Sequence, residues 1–299
     1  MKKRTAFDWI INISLGILML IILYPIYFTV IASFSDPYAV AKGKVLLYPV
    51  GLTLESYQHA FAYKQIWVGY ANSLFYTLFG TAFSVALTIP AAYGLSKKQL
   101  PGRFGLTCIF LFTMYFGGGL IPTYLLVKDL HLLNTRLVLI ILSGMSVYNM
   151  VVARVYFSTS TPGEIYEAAR IDGASELRIF FTIALPLAVP IIAVIALYYS
   201  VANWNSYFNA LVYITNEKLE PLQIVLRRVL IMNENAVNEA LMQTNSVSTE
   251  QIVDKARRSY IAYTMKYSMV LISSLPMLIL YPFLQRYFVK GLLIGSLKG

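Results

Sequence analysis

Six long runs without a charged residue limit what this chain can fold into. They cover residues 9–35, 65–96, 104–127, 137–153, 179–216 and 267–285. A helix needs about 20 mostly apolar residues to cross a bilayer, and each run supplies them alone or with a few flanking residues. Charged residues make up 13% of the chain, whereas a soluble domain carries about 25%. We therefore predict an all-α membrane protein with about six transmembrane helices.

The predicted spans belong to one transmembrane domain that covers residues 1–299. They lie at about 9–34, 70–95, 104–127, 137–159, 181–205 and 267–287. The first apolar run is longer than the core of about 7–15 residues that a signal peptide has, so we expect an uncleaved anchor. The polar stretch 209–265 lies between the last two spans, and we expect it to form an external segment.

Basic residues beside the apolar runs predict the orientation of the chain. Short cytoplasmic loops of membrane proteins are enriched in Lys and Arg. The basic residues assigned to the cytoplasm are Lys2, Lys3, Arg4, Lys97, Lys98, Arg103, Arg170, Arg178, Arg286, Lys290 and Lys298. Lys42, Lys44 and Lys64 count against this assignment. It places both termini in the cytoplasm, and the scattered positive charge does not predict a nucleic-acid partner.

The stretch 161–190 carries its own helix start and stop signals. Thr161 can cap a helix, Pro162 suits its first position, and Glu164 follows three residues after Thr161. This is a capping box with a proline start. Gly173 supplies the turn at which the helix ends. The pattern predicts a short amphipathic helix, a turn and a transmembrane helix that leaves at an angle. The alternative is a solvated loop that is helical by propensity alone.

The same stretch resembles the EAA motif of bacterial importer permeases. The resemblance is carried by Glu167-Ala168-Ala169, Asp172-Gly173-Ala174, Ile183, Leu185-Pro186 and Pro190. In ATP-binding-cassette (ABC) importers, the segment with this motif is a coupling helix that sits in a groove of the ATPase subunit. The resemblance implies that residues 161–178 form this helix here. The residues expected to couple the chain to the ATPase are Glu164, Glu167, Ala168, Ala169, Asp172, Gly173, Leu185 and Pro186.

Other segments are similar to maltose-type sugar permeases, and most similar to the subgroup for complex polysaccharides and oligosaccharides. They are residues 34–61, the turn 100–103 and the stretch 116–135. The resemblance implies a carbohydrate importer with a second related permease, two ATPase subunits and an external substrate-binding protein. One alternative is a permease for another solute, such as a peptide or a polyol. An ion-coupled secondary carrier is a further alternative, but it would need buried carboxylates and internal repeats.

The end of the fifth predicted span mixes amides with aromatic rings, a combination that suits sugars. Asn203, Asn205 and Asn209 are the candidates for the solute path. Positions 205 and 209 share one face of a continuous helix, so we expect Asn205 and Asn209 to line the path. We favour an interfacial position for Trp204, because tryptophan is enriched at membrane–water interfaces.

Three consecutive glycines at residues 117–119 interrupt the third predicted span, and Pro122 follows them. Glycines in a membrane helix either permit close packing of helices or let the helix unwind beside a cavity. We favour packing.

The sequence contains no pattern for catalysis or for a bound metal. It has no G-x-x-x-x-G-K-[ST] nucleotide motif, and its one cysteine, Cys108, lies within an apolar run. His59 and His131 are isolated. We therefore expect a transport subunit without catalytic residues, cofactors or a metal site, and expect ATP hydrolysis on separate subunits.

Overall fold

A computed structural model describes residues 6–159, 163–231 and 249–296, and within these ranges the chain is helical with connecting turns and no β-strand. The predicted all-α class is therefore confirmed. The predicted cap at Thr161 and Pro162 lies outside the described residues, as do residues 2–4, residues 232–248 of the expected external segment, and Lys298.

The helices are numbered in chain order. They are α1 (Ala6–Ser33), α2 (Pro37–Ala41), α3 (Glu55–Ala62), α4 (Lys64–Ser96), α5 (Arg103–Tyr115), α6 (Leu120–Asp129), α7 (Arg136–Ser143), α8 (Val147–Thr159), α9 (Gly163–Ile171), α10 (Glu176–Ile179), α11 (Leu185–Leu187), α12 (Val189–Trp204), α13 (Phe208–Tyr213), α14 (helical at 222–231) and α15 (Thr249–Ser296). A π-helical turn, Phe180–Ala184, joins α10 to α11.

The chain divides into two compact units, and the first comprises the described residues of Met1–Trp67 and Val225–Leu275. Its small core gathers around Ile31, Ala32 and Val45. Ser56 in α3 and Thr264 in α15 are hydrogen-bonded through their hydroxyl oxygens, 2.8 Å apart. Most of the apolar side chains of α1 are exposed, which suits a helix whose solvent is lipid.

The second unit comprises the described residues of Val68–Ile224 and Pro276–Gly299. Its main core combines residues from α4, α8, α9 and the stretch from α10 to α12. Ile89, Met150, Ile179 and Ile195 are almost completely buried there. The short helix α9 is thus part of the packed unit and is held at the end of the longer helices.

Three described helices or helical stretches are long and apolar enough to cross a membrane by themselves: Phe7–Ser33, Lys64–Ser96 and Tyr260–Pro282. The described chain has up to six spans if each of three bent pairs counts as one. The pairs are α5 with α6, α7 with α8, and Glu176–Leu187 with α12, bent by 107°, 49° and 78°. The number of spans therefore agrees with six, although half of them are broken.

The bend between α5 and α6 occurs at the three glycines. A methyl-sized side chain on Gly117 or Gly119 would meet no atom within 4 Å. These glycines therefore do not serve close packing within the described chain, contrary to our preference. The helix ends at Tyr115, and the glycines form the extended connection to α6.

The bend before α12 has a different cause. Pro186 lies in α11 and Pro190 near the start of α12. A proline has no backbone N–H to donate, and its ring crowds the preceding turn. The helix breaks between them at Ala188, so the 78° bend lies within the predicted fifth span rather than at its start.

Helix α15 runs without interruption from Thr249 to Ser296. The expected border between an external segment ending at 265 and a span beginning at 267 therefore does not exist as a structural break. The apolar stretch is only the middle part of a longer helix. Hydropathy marks the change of environment, but backbone hydrogen bonds continue through it.

Candidate functional site

Helix α9 presents one face to the protein and the other to its surroundings. Tyr166 and Ala169, three positions apart, are each 8% exposed and join the core of the second unit. Glu164, Glu167 and Ala168 are exposed. Because residues three apart share a helix face, the packing fixes which side of α9 remains available to a partner.

A two-bond cap ends α9 at the predicted glycine. The backbone N–H of Gly173 donates to the carbonyl of Arg170 (3.0 Å), and that of Ala174 donates to the carbonyl of Ala169 (2.9 Å). These are the two bonds of the Schellman motif. Gly173 has φ +78°, and the space around it is open. Its requirement for glycine is therefore one of backbone conformation.

An ion pair and a second cap hold the turn between α9 and α10. The guanidinium Nη2 of Arg170 lies 2.8 Å from Oε1 of Glu176, and its Nε donates to the same oxygen at 2.9 Å. The hydroxyl of Ser175 accepts a hydrogen bond from the backbone N–H of Arg178. Contacts from residues before and after Gly173 thereby hold the turn, and Asp172 within it is exposed.

Lys97, directly after α4, contacts α9 from the side. Its ammonium nitrogen lies 3.3 Å from the ring centroid of Tyr166 and 4.2 Å from that of Tyr93. Burial lowers the pKa of Lys97, and the nearby charge of Glu176 opposes that shift. The two ring faces attract the partly desolvated cation. The contact joins the end of a long helix to the short helix α9.

Apolar side chains surround the exposed acidic face of α9. Ile171 is 86% exposed, Leu177 is 72% exposed and Phe181 is 61% exposed. Exposed apolar groups that are concentrated in one place and bordered by polar residues are typical of a protein interface. Leu185 and Pro186 complete the set of residues expected to couple the chain to the ATPase. Pro186 is exposed, whereas Leu185 is half-buried and packs against the core.

A cavity of about 460 Å³ lies among α7, α8 and the end of α12. Its polar lining consists of amides and hydroxyls, from Ser143, Ser146, Asn149, Asn203, Ser206 and Asn209. Tyr148, Tyr198 and Tyr199 supply aromatic surface, and none of the described residues that line it is charged.

Hydrogen bonds from α4 and α8 fix one wall of this cavity. The hydroxyl groups of Thr88 and Tyr199 are hydrogen-bonded at 2.6 Å, and the Tyr199 oxygen accepts from the backbone N–H of Ser146 at 2.8 Å. The side-chain amide of Asn203 donates to Thr81 (3.4 Å). It lies so close to Gly80 that a Cβ there would approach its nitrogen to 2.9 Å.

Two of the three predicted path residues line the cavity, and one does not. Asn205 is exposed, and its amide donates to the carbonyl of Val201 in the same helix (2.9 Å). Helix α12 ends at Trp204 and α13 begins at Phe208. Positions 205 and 209 therefore do not share one continuous helix face, which was the reason for pairing them.

The interfacial position expected for Trp204 is wrong. Its side chain is 2% exposed, and its ring meets that of Tyr70 edge-on at 5.6 Å between centroids. The apolar surface of an indole ring favours burial as strongly as it favours an interface. Composition alone could not separate the two.

Sequence reasoning also missed the polar face of α4. Ser73, Thr77, Thr81, Ser84 and Thr88 follow one another at three or four positions, and all are buried or half-buried. Thr81 and Thr88 support the cavity wall through Asn203 and Tyr199. The helical spacing of these hydroxyls within an apolar run was the signal that could have predicted them.

Comparison with known proteins finds the same architecture elsewhere. The family model "Binding-protein-dependent transport system inner membrane component" matches residues 65–294. The chain is 38% identical over 299 residues to the protein LplC of Bacillus subtilis, with 100% of this chain and 97% of LplC covered. It is 36% identical over 298 residues to the B. subtilis polygalacturonan/rhamnogalacturonan transport system permease protein YtcP, with 99% and 100% covered.

A solved structure is also similar. It is a chain in the crystal structure of a bacterial ABC transporter involved in the import of the acidic polysaccharide alginate. The TM-score is 0.83 and the identity 34%, over 96% of this chain and 100% of that one.

Proposed function

This chain belongs to the family of binding-protein-dependent transport system inner membrane components, and we propose that it is the permease subunit of an ATP-driven oligo- or polysaccharide importer. One relative with 36% identity and a similar structure with 34% identity are named for transport or import of polysaccharides. The observation that carries the carbohydrate assignment is the cavity, because amides and hydroxyls replace the water around sugar hydroxyls and tyrosine rings stack on sugar C–H faces.

We assign the ATPase-binding role to α9 and the turn after it, within the segment 161–178. The acidic and apolar groups on the exposed face of α9, with Ile171 and Leu177 beside them, form the surface offered to an ATPase groove. The opposite face of α9, which carries Tyr166, packs against the core of the second unit. A displacement of α9 by the ATPase is therefore transmitted to α4 and α8 through packed contacts.

The working complex has further subunits in this proposal. A second related permease completes the solute path, two ATPase subunits hydrolyse ATP, and an external binding protein delivers the sugar. Closure of the ATPase pair moves the α9 helices, and the spans change between inward-facing and outward-facing packings. Both termini and α9 lie in the cytoplasm. Asn203 and Asn209 contact the solute on this chain's side of the path.

The test is stimulated ATP hydrolysis by the importer reconstituted with its companion subunits. Glu167→Lys and Gly173→Pro should abolish stimulation by loaded binding protein while the complex still assembles. Asp129→Lys reverses the charge of another exposed acid, on α6, and should change nothing. Stimulation that persists in both α9 variants would remove the ATPase-binding role. Uptake of peptides or polyols instead of oligosaccharides would remove the carbohydrate assignment.

A further inference from the structure

A second cavity, of about 430 Å³, lies where α5 begins and contains three positive charges. Lys98, Arg103 and Arg154 line it, together with the hydroxyl-bearing Thr107. Lys98 follows Lys97, whose ammonium contacts Tyr166 of α9. The cavity is therefore at the end of the second unit that carries α9, and it is separate from the amide-lined cavity described above.

No acidic side chain neutralises these three cations within the described residues. Arg170 and Arg257 form ion pairs with glutamates elsewhere in the described chain. Arg103 donates from Nε to the carbonyl of Leu95 (2.8 Å), and Arg154 donates from Nη1 to Thr107 (3.3 Å). Both guanidinium groups keep other N–H donors. They line the same cavity, and like charges gathered in one cavity are costly unless an anion joins them.

The start of α5 adds a partial positive charge to the same cavity. Gly102 precedes the helix with φ +72°, and no side chain caps the helix end. Gly102 and Phe104 both line the cavity. The first N–H groups of a helix have no partners within the helix, and they favour an anion placed before them. The two arginines and the helix end are all positive, so all of them attract a negatively charged ligand.

The outer surface of α5 shows which anion can reach this cavity. Phe104 is 84% exposed, Ile109 is 62% exposed and Phe112 is 60% exposed. A row of exposed apolar side chains on a membrane helix faces acyl chains. Arg103 is the first residue of α5, so the cations lie at the end of this row.

We infer that the cavity formed by Lys98, Arg103 and Arg154 binds the phosphate group of an anionic membrane lipid. The guanidinium groups donate paired hydrogen bonds to the phosphate oxygens, a geometry to which arginine is suited. Basic cavities between membrane helices on the cytoplasmic side bind lipid headgroups in this way. The inference goes beyond solute transport and holds whichever sugar the importer carries.

The experiment measures lipid retention on the assembled importer. The complex is purified, exposed to an equimolar mixture of phosphatidylglycerol and phosphatidylcholine, and weighed by native mass spectrometry. The wild type should retain phosphatidylglycerol on the order of a hundredfold over phosphatidylcholine, because each of the three basic residues contributes roughly a fivefold preference. The double variant Arg103→Gln/Arg154→Gln should lose most of this preference.

Three controls separate the possible results. Arg103→Lys/Arg154→Lys keeps the charge and should keep most of the preference even if the Arg103 contact with Leu95 supports the fold. Lys128→Gln/Lys218→Gln removes two exposed cations elsewhere and should behave as the wild type. Equal retention of the two lipids by the wild type, or the same preference in the wild type and the glutamine variant, would overturn the site. Binding of inorganic phosphate by a wild type that retains the two lipids equally would assign the site to free phosphate and overturn the lipid as its source.

Discussion

The ammonium nitrogen of Lys97 lies 3.3 Å from the centre of the Tyr166 ring, and this contact links α4 to α9. Tyr93 of α4 lies on another side of the same ammonium, at 4.2 Å. The ammonium group of Lys97 thus contacts one ring from α4 and one ring from α9. A displacement of α9 would change this contact as well as the packing of the apolar core.

We predict that the contact contributes to coupling. Lys97→Met and Tyr166→Leu should each lower solute-stimulated ATP hydrolysis by about two- to thirtyfold, which corresponds to the range for a cation over an aromatic ring. Tyr166→Phe keeps the ring and should retain nearly normal activity. The assay is ATP hydrolysis by the reconstituted complex with loaded binding protein. If the fold-loss of ATP hydrolysis in the double variant equalled the product of the two single losses, the two residues would act independently and the contact would not contribute.

The cap at Gly173 gives a second prediction. Gly173→Ala should weaken the end of α9 by about 1 kcal/mol, because a residue with a Cβ resists the left-handed conformation. Hydrogen exchange at the amides of Gly173 and Ala174 should become faster by roughly fivefold, and stimulated ATP hydrolysis should fall. Gly163→Ala is the matched control, since its site is equally open and has no positive φ. Equal exchange in the two variants would exclude the conformational explanation.

The orientation of the chain can be tested by cysteine labelling. The native Cys108 is first replaced by serine, and a single cysteine is then placed at Lys98 or at Lys218, both of which are exposed. We expect an impermeant maleimide to label position 218 in intact cells, and position 98 only after the membrane is opened. The reverse result would place α9 outside the cytoplasm and exclude its contact with an ATPase.

The amide-lined cavity provides a fourth prediction. Asn203→Leu should lower sugar uptake by about two- to tenfold, the loss expected when one neutral hydrogen bond is removed. Gly80→Ala should have a similar effect, because its Cβ would approach the Asn203 amide to 2.9 Å. Asn205→Leu is the control, since Asn205 bonds to Val201 of its own helix and does not line the cavity. Uptake is measured with the reconstituted importer, and a loss confined to Asn205→Leu would show that the path lies on the other side.

Periodicity and local signals determined the elements of this protein. Long uncharged runs predict helices that cross a membrane wherever they lie in the fold, because a helix of about 20 apolar residues matches the thickness of the bilayer by its own length and composition. Gly173 was predictable for the same reason, since a left-handed turn after a helix is a property of the local backbone.

The tertiary structure decided which side chains meet. Asn203, Asn205 and Asn209 are equivalent as residue types, and only the end of α12 at Trp204 separates those that line the cavity from the one that does not. Lys97 and Tyr166 are far apart in sequence, so no local pattern could pair them. Trp204 suits an interface and an interior equally well, and its burial depends on the neighbouring Tyr70. Such outcomes depend on contacts between distant segments, and one sequence read along its length does not contain them.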